Sequence, residues 1–254
     1  MKFKRGAGYT GDSNEAEGVI ALVGIAAVVI VLAMYLLIYL FAYGYLIFGG
    51  CSNDKSKEEF QMIRAGSGIE YKVHEDLTNP KLAADTMDRL NTVAHKLIDH
   101  MITKYVHGTG LDEIREEKRQ EVIDLVQRLK KNFKTAALEE NIPSRSGGDT
   151  SYVMNKGDTF AMCLRDPLND NEVDDDIMNE LRFVLFHEMS HLADVNFGHE
   201  KSFWNTFRFV LQEATLTGLY EPINYKRIHK PYCGIKISYS PLYDNELSDF
   251  RKKM

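Results

Sequence analysis

The chain has 254 residues, a formal net charge of −6 and three cysteines. This length leaves room for one domain of about 170–200 residues plus an extension, and the acidic balance argues against nucleic acid as a partner. Cys51, Cys163 and Cys233 are few, odd in number and far apart. We therefore expect no disulfide framework and a main domain that faces a reducing space.

The N-terminal part predicts a membrane anchor. A polar tail over 1–17 precedes an uncharged stretch over 18–50 that is dominated by Val, Ile, Leu, Ala, Phe and Tyr. Because about 20 apolar residues span a bilayer, we expect a transmembrane helix there and a single-pass membrane protein that contacts lipid through 18–50. The basic residues that flank the span are balanced, so the cysteines decide the topology. They favour residues 52–254 in the cytosol, or in the interior of a virion.

The main domain is expected over 78–254, after a polar juxtamembrane linker over 51–77. Its first part, 78–140, is helical in character. Apolar residues recur at helical spacing from Lys81 to Val106 and again from about Leu111 to Glu139. Both patterns are those of amphipathic helices that support a core.

The second part of the domain, 150–254, is predicted to be the catalytic core. Ser151–Met154 and Thr159–Leu164 read as two strands, and Asn155–Asp158 between them reads as a hairpin turn. An exposed strand of this kind can pair with an extended peptide through main-chain hydrogen bonds.

The helix predicted from about Asp175 to Val195 carries the motif HExxH at 187–191. His187 and His191 are four residues apart, so both imidazoles lie on one helix face and can bind one metal ion. Glu188 lies about 100° further round the helix. This position suits a general base that deprotonates a metal-bound water.

A third ligand is required for a catalytic zinc site, which keeps its fourth position for water. His199 follows the helix-ending Gly198 and can fold back onto the motif helix. Glu213 on the next helix is an alternative ligand, and Glu200 is a weaker one. Asp194 and Glu213 could instead accept the free N–H of a ligand histidine.

Four segments resemble the WLM and SprT-like zinc metallopeptidases, above all the small versions encoded by large DNA viruses of eukaryotes. They are HEMSHLADVNFGHEKSFW at 187–204, TSYVMNKGDTFAMCLRD at 150–166, FRFVLQEA at 207–214 and YCGIKISYSPL at 232–242. The interval of eight residues between His191 and His199 matches the viral members better than the cellular ones.

This resemblance implies an α+β zincin fold, in which a small sheet lies over the HExxH helix and a second helix carries the third ligand. It implies one zinc ion per chain, held by His187, His191 and His199, with Glu188 as the base. The expected function is a membrane-anchored metallopeptidase that acts on a peptide or protein substrate. For the residue that polarises the scissile carbonyl, Tyr232, Tyr239 and His229 remain open. The site residues expected from sequence are therefore His187, Glu188, His191 and His199, with Asp194 and Glu213 as possible supporting residues.

The alternative function is structural. The chain would then be a scaffolding membrane or virion protein whose zincin-like domain binds virion or membrane partners, with zinc serving folding. Glu188 argues against this alternative, because a purely structural zinc site does not need a general base. A metal-dependent hydrolase of another substrate class is a third and weaker alternative.

Overall fold

A computed structural model describes residues 31–36, 39, 60–75, 77–143, 148–165 and 175–252. The chain divides into two compact units, Met1–Lys57 and Glu58–Met254. In the first unit, residues 31–36 and 39 are helical. The second unit combines a mixed sheet with helices, which confirms the expected α+β class.

The expected membrane anchor requires correction. No helix in the described part of the chain is long and apolar enough to cross a bilayer. The predictions of a transmembrane helix over 18–50, of lipid contact through it and of a single-pass membrane protein are therefore wrong on this finding. The rest of 18–50 and the tail over 1–17 lie outside the described residues.

The main sheet has five strands in the order β1-β2-β3-β5-β4. The strands are β1 (Phe60–Arg64), β2 (Glu70–His74), β3 (Leu138–Glu140), β4 (Tyr152–Met154) and β5 (Thr159–Met162). Strands β2, β3 and β5 run parallel to one another, whereas β1 pairs antiparallel with β2 and β4 antiparallel with β5. Strand β4 therefore forms one edge of the sheet. A separate hairpin joins β6 (Lys230–Tyr232) to β7 (Ile235–Ile237).

The described residues of the second unit form four α-helices. They are α1 (Pro80–Met101), α2 (Arg119–Asn132), α3 (Asp175–Ala193) and α4 (Lys201–Leu216). Helix α1 starts at a proline, whose fixed φ suits the first turn, and continues as a π-helix over Ile102–His107. Short 3-10 turns cover Gly110–Glu113, Glu116–Lys118, Thr135–Ala137 and Pro241–Tyr243.

Helix α3 lies at the centre of the fold. It contacts α1, α2 and α4 as well as β4. Leu185, Met189 and Leu192 on α3 are fully buried, and each such side chain contributes about 1.5–3 kcal/mol of stability through its burial. This packing on several sides fixes the helix that carries the HExxH motif.

Two stretches differ from the sequence prediction. The expected linker over 51–77 contains β1 and β2. In β2, Tyr71 and Val73 are buried on either side of exposed Lys72, with the period of two that a strand imposes. The expected helix over 111–139 is divided. Its α-helical part, α2, ends where Phe133 adopts an extended conformation, and residues 138–140 become β3, which joins the centre of the sheet.

Candidate metal centre

Helix α3 presents the first two histidines on one face. The ring centroids of His187 and His191 are 5.0 Å apart, as expected for residues separated by about one turn. Helix α3 ends at Ala193, close to the predicted end. Glu188 lies between these histidines in sequence and is 4% exposed.

The third histidine lies in the turn between α3 and α4. Gly198 has a φ of 85°, which a side chain would disfavour, and this turn directs His199 back toward α3. The Nε2 atoms of His199 and His187 are 2.9 Å apart. One ligand atom from each of the three histidines lies within 4.8 Å of the others. Three imidazole nitrogens so placed are suited to hold one metal ion.

An aromatic layer from α4 covers the histidines. Phe203 stacks on His191 with centroids 4.1 Å apart, and Trp204 stacks on His199 at 5.6 Å. Burial lowers the pKa of His187 well below its ordinary value and lowers that of His191 to about 4. Burial also lowers the pKa of His199. All three imidazoles are thus neutral near pH 7, and this is the form that binds metal ions.

The turn between the second and third histidines is held by a lysine from the β4–β5 hairpin. Lys156 Nζ donates hydrogen bonds to the carbonyl oxygens of His191 at 2.8 Å, Asp194 at 2.9 Å and Asn196 at 2.5 Å. The carbonyls at a helix C-terminus lack partners within the helix, so this ammonium group caps α3. The hairpin turn was predicted from sequence, but this role of Lys156 was not. An isolated lysine in a turn gives no signal of it.

Two residues of α2 complete the cap of α3. Arg128 Nε donates to the carbonyl of Ala193 at 2.7 Å, and Asn132 Nδ2 donates to that of Leu192 at 2.9 Å. The end of the motif helix is therefore fixed from two separate elements, which limits movement of His191 relative to His199.

Asp194 supports the same turn by a different route. Its Oδ2 accepts a hydrogen bond from Ser202 Oγ at 3.0 Å, and that hydroxyl also accepts one from Asn196 Nδ2 at 3.0 Å. We expected Asp194 to accept from a ligand histidine. In the described structure it links the start of α4 to the end of α3 instead.

Glu213 lies outside the histidine cluster, and so does Glu200, which is exposed at the start of α4. The Glu213 carboxylate is fully buried and accepts a hydrogen bond from Tyr105 at 2.6 Å. It also pairs with Arg251 and lies 3.1 Å from His100 Nε2. Glu213 therefore neither binds the expected metal nor supports a ligand histidine. It joins α4 to the π-helix and to the C-terminal segment.

Glu188 is the buried acidic group beside the histidines. Its Oε2 atom is buried and has no hydrogen-bond partner among the described residues. Burial, and next the charge of Asp149, raise its pKa to about 8 in the absence of a metal ion. A buried carboxyl group without a hydrogen-bond partner costs stability, and such a cost is common where a group is retained for its chemistry.

Two cavities adjoin the histidines. One has a volume of about 430 Å³ and the other about 270 Å³. His187, Glu188 and His199 border both of them, so the histidine cluster lies at their junction. Tyr152 and Val153 of the edge strand β4 border the smaller cavity.

The β6–β7 hairpin and the segment after it border the larger cavity. Tyr232 and Tyr239 line it, whereas His229 is exposed and does not. The Tyr232 hydroxyl donates to the carbonyl of Cys163 at 2.8 Å, and that of Tyr239 donates to Asp244 Oδ2 at 2.7 Å. Of the three residues considered for the scissile carbonyl, two thus lie at the site.

A disulfide joins Cys163, directly after β5, to Cys233 in the β6–β7 turn. It attaches this wall of the larger cavity to the main sheet. The expectation of no disulfide framework is therefore wrong for these two residues. The argument for a reducing compartment, which was based on the cysteines, is wrong as well. Residues 70 positions apart were brought together by the tertiary fold. Their spacing in the sequence could not show this.

Comparison with known proteins gives two viral relatives. The chain is 28% identical over 167 residues to an uncharacterized protein of Acanthamoeba polyphaga mimivirus, covering 65% of this chain and 81% of that protein. It is 33% identical over 86 residues to an uncharacterized protein of Invertebrate iridescent virus 6, covering 34% of this chain and 46% of that protein. No family model matches the chain, and no solved structure matches it. The similarities confirm the expected likeness to viral proteins.

Proposed function

We propose that the protein is a zinc-dependent metallopeptidase of the WLM and SprT-like kind. The observation that carries this proposal is the convergence of three neutral imidazoles beside a buried carboxyl group, at the junction of two cavities. A structural zinc site closes its coordination with four protein ligands. Here the described residues supply three.

The donor set favours zinc as the metal. Zinc binds imidazole nitrogen readily, and three protein ligands with an open fourth position are typical of catalytic zinc sites. His187, His191 and His199 would hold the ion, one per chain. When bound, zinc would lower the pKa of a water molecule and polarise the carbonyl group of the substrate.

Glu188 would act as the general base and then as the general acid. It would take a proton from the attacking water and deliver it to the leaving amine. Its burial excludes bulk water from the carboxyl group, and a nearby cation would favour the ionised form that accepts the proton. A peptide would lie across the junction of the cavities, with its backbone extended along the edge strand β4.

The first experiment measures zinc content and peptide cleavage in the purified full chain. We expect one zinc ion per chain in the wild type and loss of zinc in His199→Ala. Glu188→Gln should keep its zinc but reduce kcat/KM on a peptide library by at least about 100-fold, since it removes the general base. Glu117→Gln is a matched control, because this side chain is 65% exposed on a distant turn.

Other outcomes would change the proposal. Full cleavage by Glu188→Gln would exclude this residue as the base. Bound zinc without any cleavage by the wild type would favour the structural alternative, in which the metal serves folding or partner binding. A wild type that binds no zinc would leave the peptidase proposal without its chemistry.

A further inference from the structure

The larger of the two cavities has a strongly apolar wall. Its apolar side chains come from three elements of the fold, namely α3, α4 and the β6–β7 hairpin. They are Phe183, Val184, Trp204, Phe207, Ile235 and Ile237. Its volume of about 430 Å³ falls within the range of pockets that enclose small organic ligands.

The charged groups of this cavity lie at one end. Asp149 and Glu188 are the carboxylate residues in its lining, and both also border the smaller cavity. They therefore lie at the junction beside the metal centre. Among the described residues, no lysine or arginine lines the larger cavity. An acidic side chain entering it would meet two carboxyl groups and no lysine or arginine, at a cost in desolvation.

The smaller cavity differs in character. Lys156, Asp149 and His191 border it together with Phe197, so it offers charged and polar groups of both signs. The two sides of the metal centre are therefore chemically unequal. A peptide lying across the junction would place the side chains on either side of the cleaved bond in different environments.

The wall contributed by the hairpin is firmly attached. The disulfide from Cys233 to Cys163 ties this hairpin to the end of β5, and the Tyr232 hydroxyl bonds to the Cys163 carbonyl at 2.8 Å. Ile237 packs at 8% exposure, whereas Ile235 at the rim is 50% exposed. A fixed apolar wall discriminates between side chains better than a mobile one, because less order is lost on binding.

We propose that the larger cavity is a specificity pocket that selects peptides with a large apolar side chain, such as Leu or Phe, next to the cleaved bond. This inference rests on the proposed peptidase function and names its substrate class. A hydrophobic pocket that gains a methylene group of substrate gains about 10-fold to 200-fold in discrimination. Leu and Phe peptides should therefore be cleaved at least about tenfold faster, in kcat/KM, than Ala or Asp peptides.

The test uses the full chain loaded with zinc and a peptide library that varies the residues on both sides of the cleaved bond. Ile235→Lys places a cation at the rim, where the side chain is already half exposed, so the fold should be retained. We expect this variant to reduce the preference for Phe over Asp by at least about tenfold. Ile228→Lys is the matched control, since Ile228 is 59% exposed and outside the cavity lining. It should leave the preference unchanged.

A second readout measures binding instead of cleavage. Hydroxamates of Gly, Asp, Leu and Phe share one metal-binding group and differ in the side chain offered to the cavity. Isothermal titration should show Leu and Phe hydroxamates binding at least about tenfold more tightly than the other two, with the difference reduced in Ile235→Lys.

The outcomes separate the two proposals. Cleavage without an apolar preference would overturn the specificity pocket and leave the peptidase function standing. An apolar preference in hydroxamate binding without any cleavage would support the pocket and overturn the function. Absence of both cleavage and binding preference would overturn both. An equal effect of Ile228→Lys and Ile235→Lys would also overturn the pocket, because the effect would not depend on the cavity.

Discussion

Glu188 links the chemistry of the site to the stability of the metal-free protein. In the unfolded chain its carboxyl group has its ordinary pKa of 4.5, whereas burial raises the folded pKa to about 8. Between these pH values the folded protein holds a proton that the unfolded chain has lost. The contribution of Glu188 to the free energy of unfolding therefore falls as the pH rises through this window, with a limiting slope of about 1.4 kcal/mol per pH unit.

Replacing Glu188 by Gln should remove this pH dependence. In metal-free protein, the stability of Glu188→Gln relative to the wild type should rise as the pH increases from 4.5 to 8 and then level off. Urea unfolding at several pH values measures the difference. The histidines contribute in the opposite direction, because their lowered pKa values make the folded protein more stable as the pH rises to about 6.5. Taking the difference in free energy of unfolding between the variant and the wild type cancels this contribution. A difference that does not vary with pH would contradict a raised pKa.

Lys156 should control metal affinity although it touches no metal ligand side chain. Lys156→Met removes three hydrogen bonds to the turn between His191 and His199. We expect zinc affinity to fall by about tenfold, at the lower end of effects from groups that orient metal ligands. Competition with a chromogenic chelator measures the dissociation constant.

Two further variants test whether this effect is specific to the capping lysine. Lys156→Arg keeps the charge and should restore part of the affinity. Lys134→Met removes a lysine whose side chain is 57% exposed and whose ion pair with Asp158 is long, at 3.8 Å. This variant should leave the zinc affinity unchanged. Equal losses of zinc affinity in Lys156→Met and Lys134→Met would show that any lost positive charge has this effect. The capping role of Lys156 would then be rejected.

Strand β4 is well placed to bind a peptide backbone. It is an edge strand that borders the smaller cavity beside the histidine cluster. If a substrate adds to this edge, only alternate backbone N–H groups point toward β4. N-methylation of those substrate amides should reduce kcat/KM by about twofold to tenfold for each lost hydrogen bond. Methylation at the intervening amides should have little effect, and an equal effect at every position would exclude pairing with β4.

The elements that could be predicted from sequence are those with local signals. Helix α3 and the β4–β5 hairpin were placed within two residues, because helical apolar spacing and a turn sequence define them. Strands β1 and β2 were missed, since β1 has no fully buried position and the polar Lys72 interrupts the buried positions of β2. Strand β3 was read as helix, because three residues carry too little pattern and the pairing of β3 with β2 and β5 is nonlocal.

The same distinction applies to the site. His187 and His191 are related by helical spacing, and Gly198 indicated the turn that brings His199 to them. The cap from Lys156, the buried pairing of Glu213 with Arg251 and the disulfide all depend on contacts between residues far apart in the chain. Such contacts become visible only when the tertiary fold is known. Glu213 is the clearest example. Its carboxylate is chemically able to bind a metal ion, but the fold places it outside the histidine cluster.

At the scale of the whole molecule, the disulfide joins residues 70 positions apart and so closes a loop. This loop contains the three histidines of the cluster. A loop of this size restricts the unfolded chain, which stabilises the folded state by about 4 kcal/mol in the chain-entropy model. The double variant Cys163→Ser with Cys233→Ser should lose stability of this order in metal-free urea unfolding. Reduction of the wild type should cause a similar loss, and Cys51→Ser should cause none. A double variant as stable as the oxidised wild type would contradict the disulfide.

The buried carboxylate of Glu213 affects the order in which the protein can assemble during synthesis. Its partner Arg251 lies 38 residues later in the chain, so a ribosome completes α4 well before it adds the guanidinium group. Before Arg251 is added, the carboxylate has Tyr105, His100 and, at 3.7 Å, Lys104 beside it. Loss of the guanidinium group leaves this buried charge less well compensated, which weakens the packing around it. Until Arg251 emerges, α4 is therefore expected to dock only weakly, and the aromatic layer that it places over the histidines remains incomplete. The proposed metal ion should thus bind late, after Arg251 has left the ribosome.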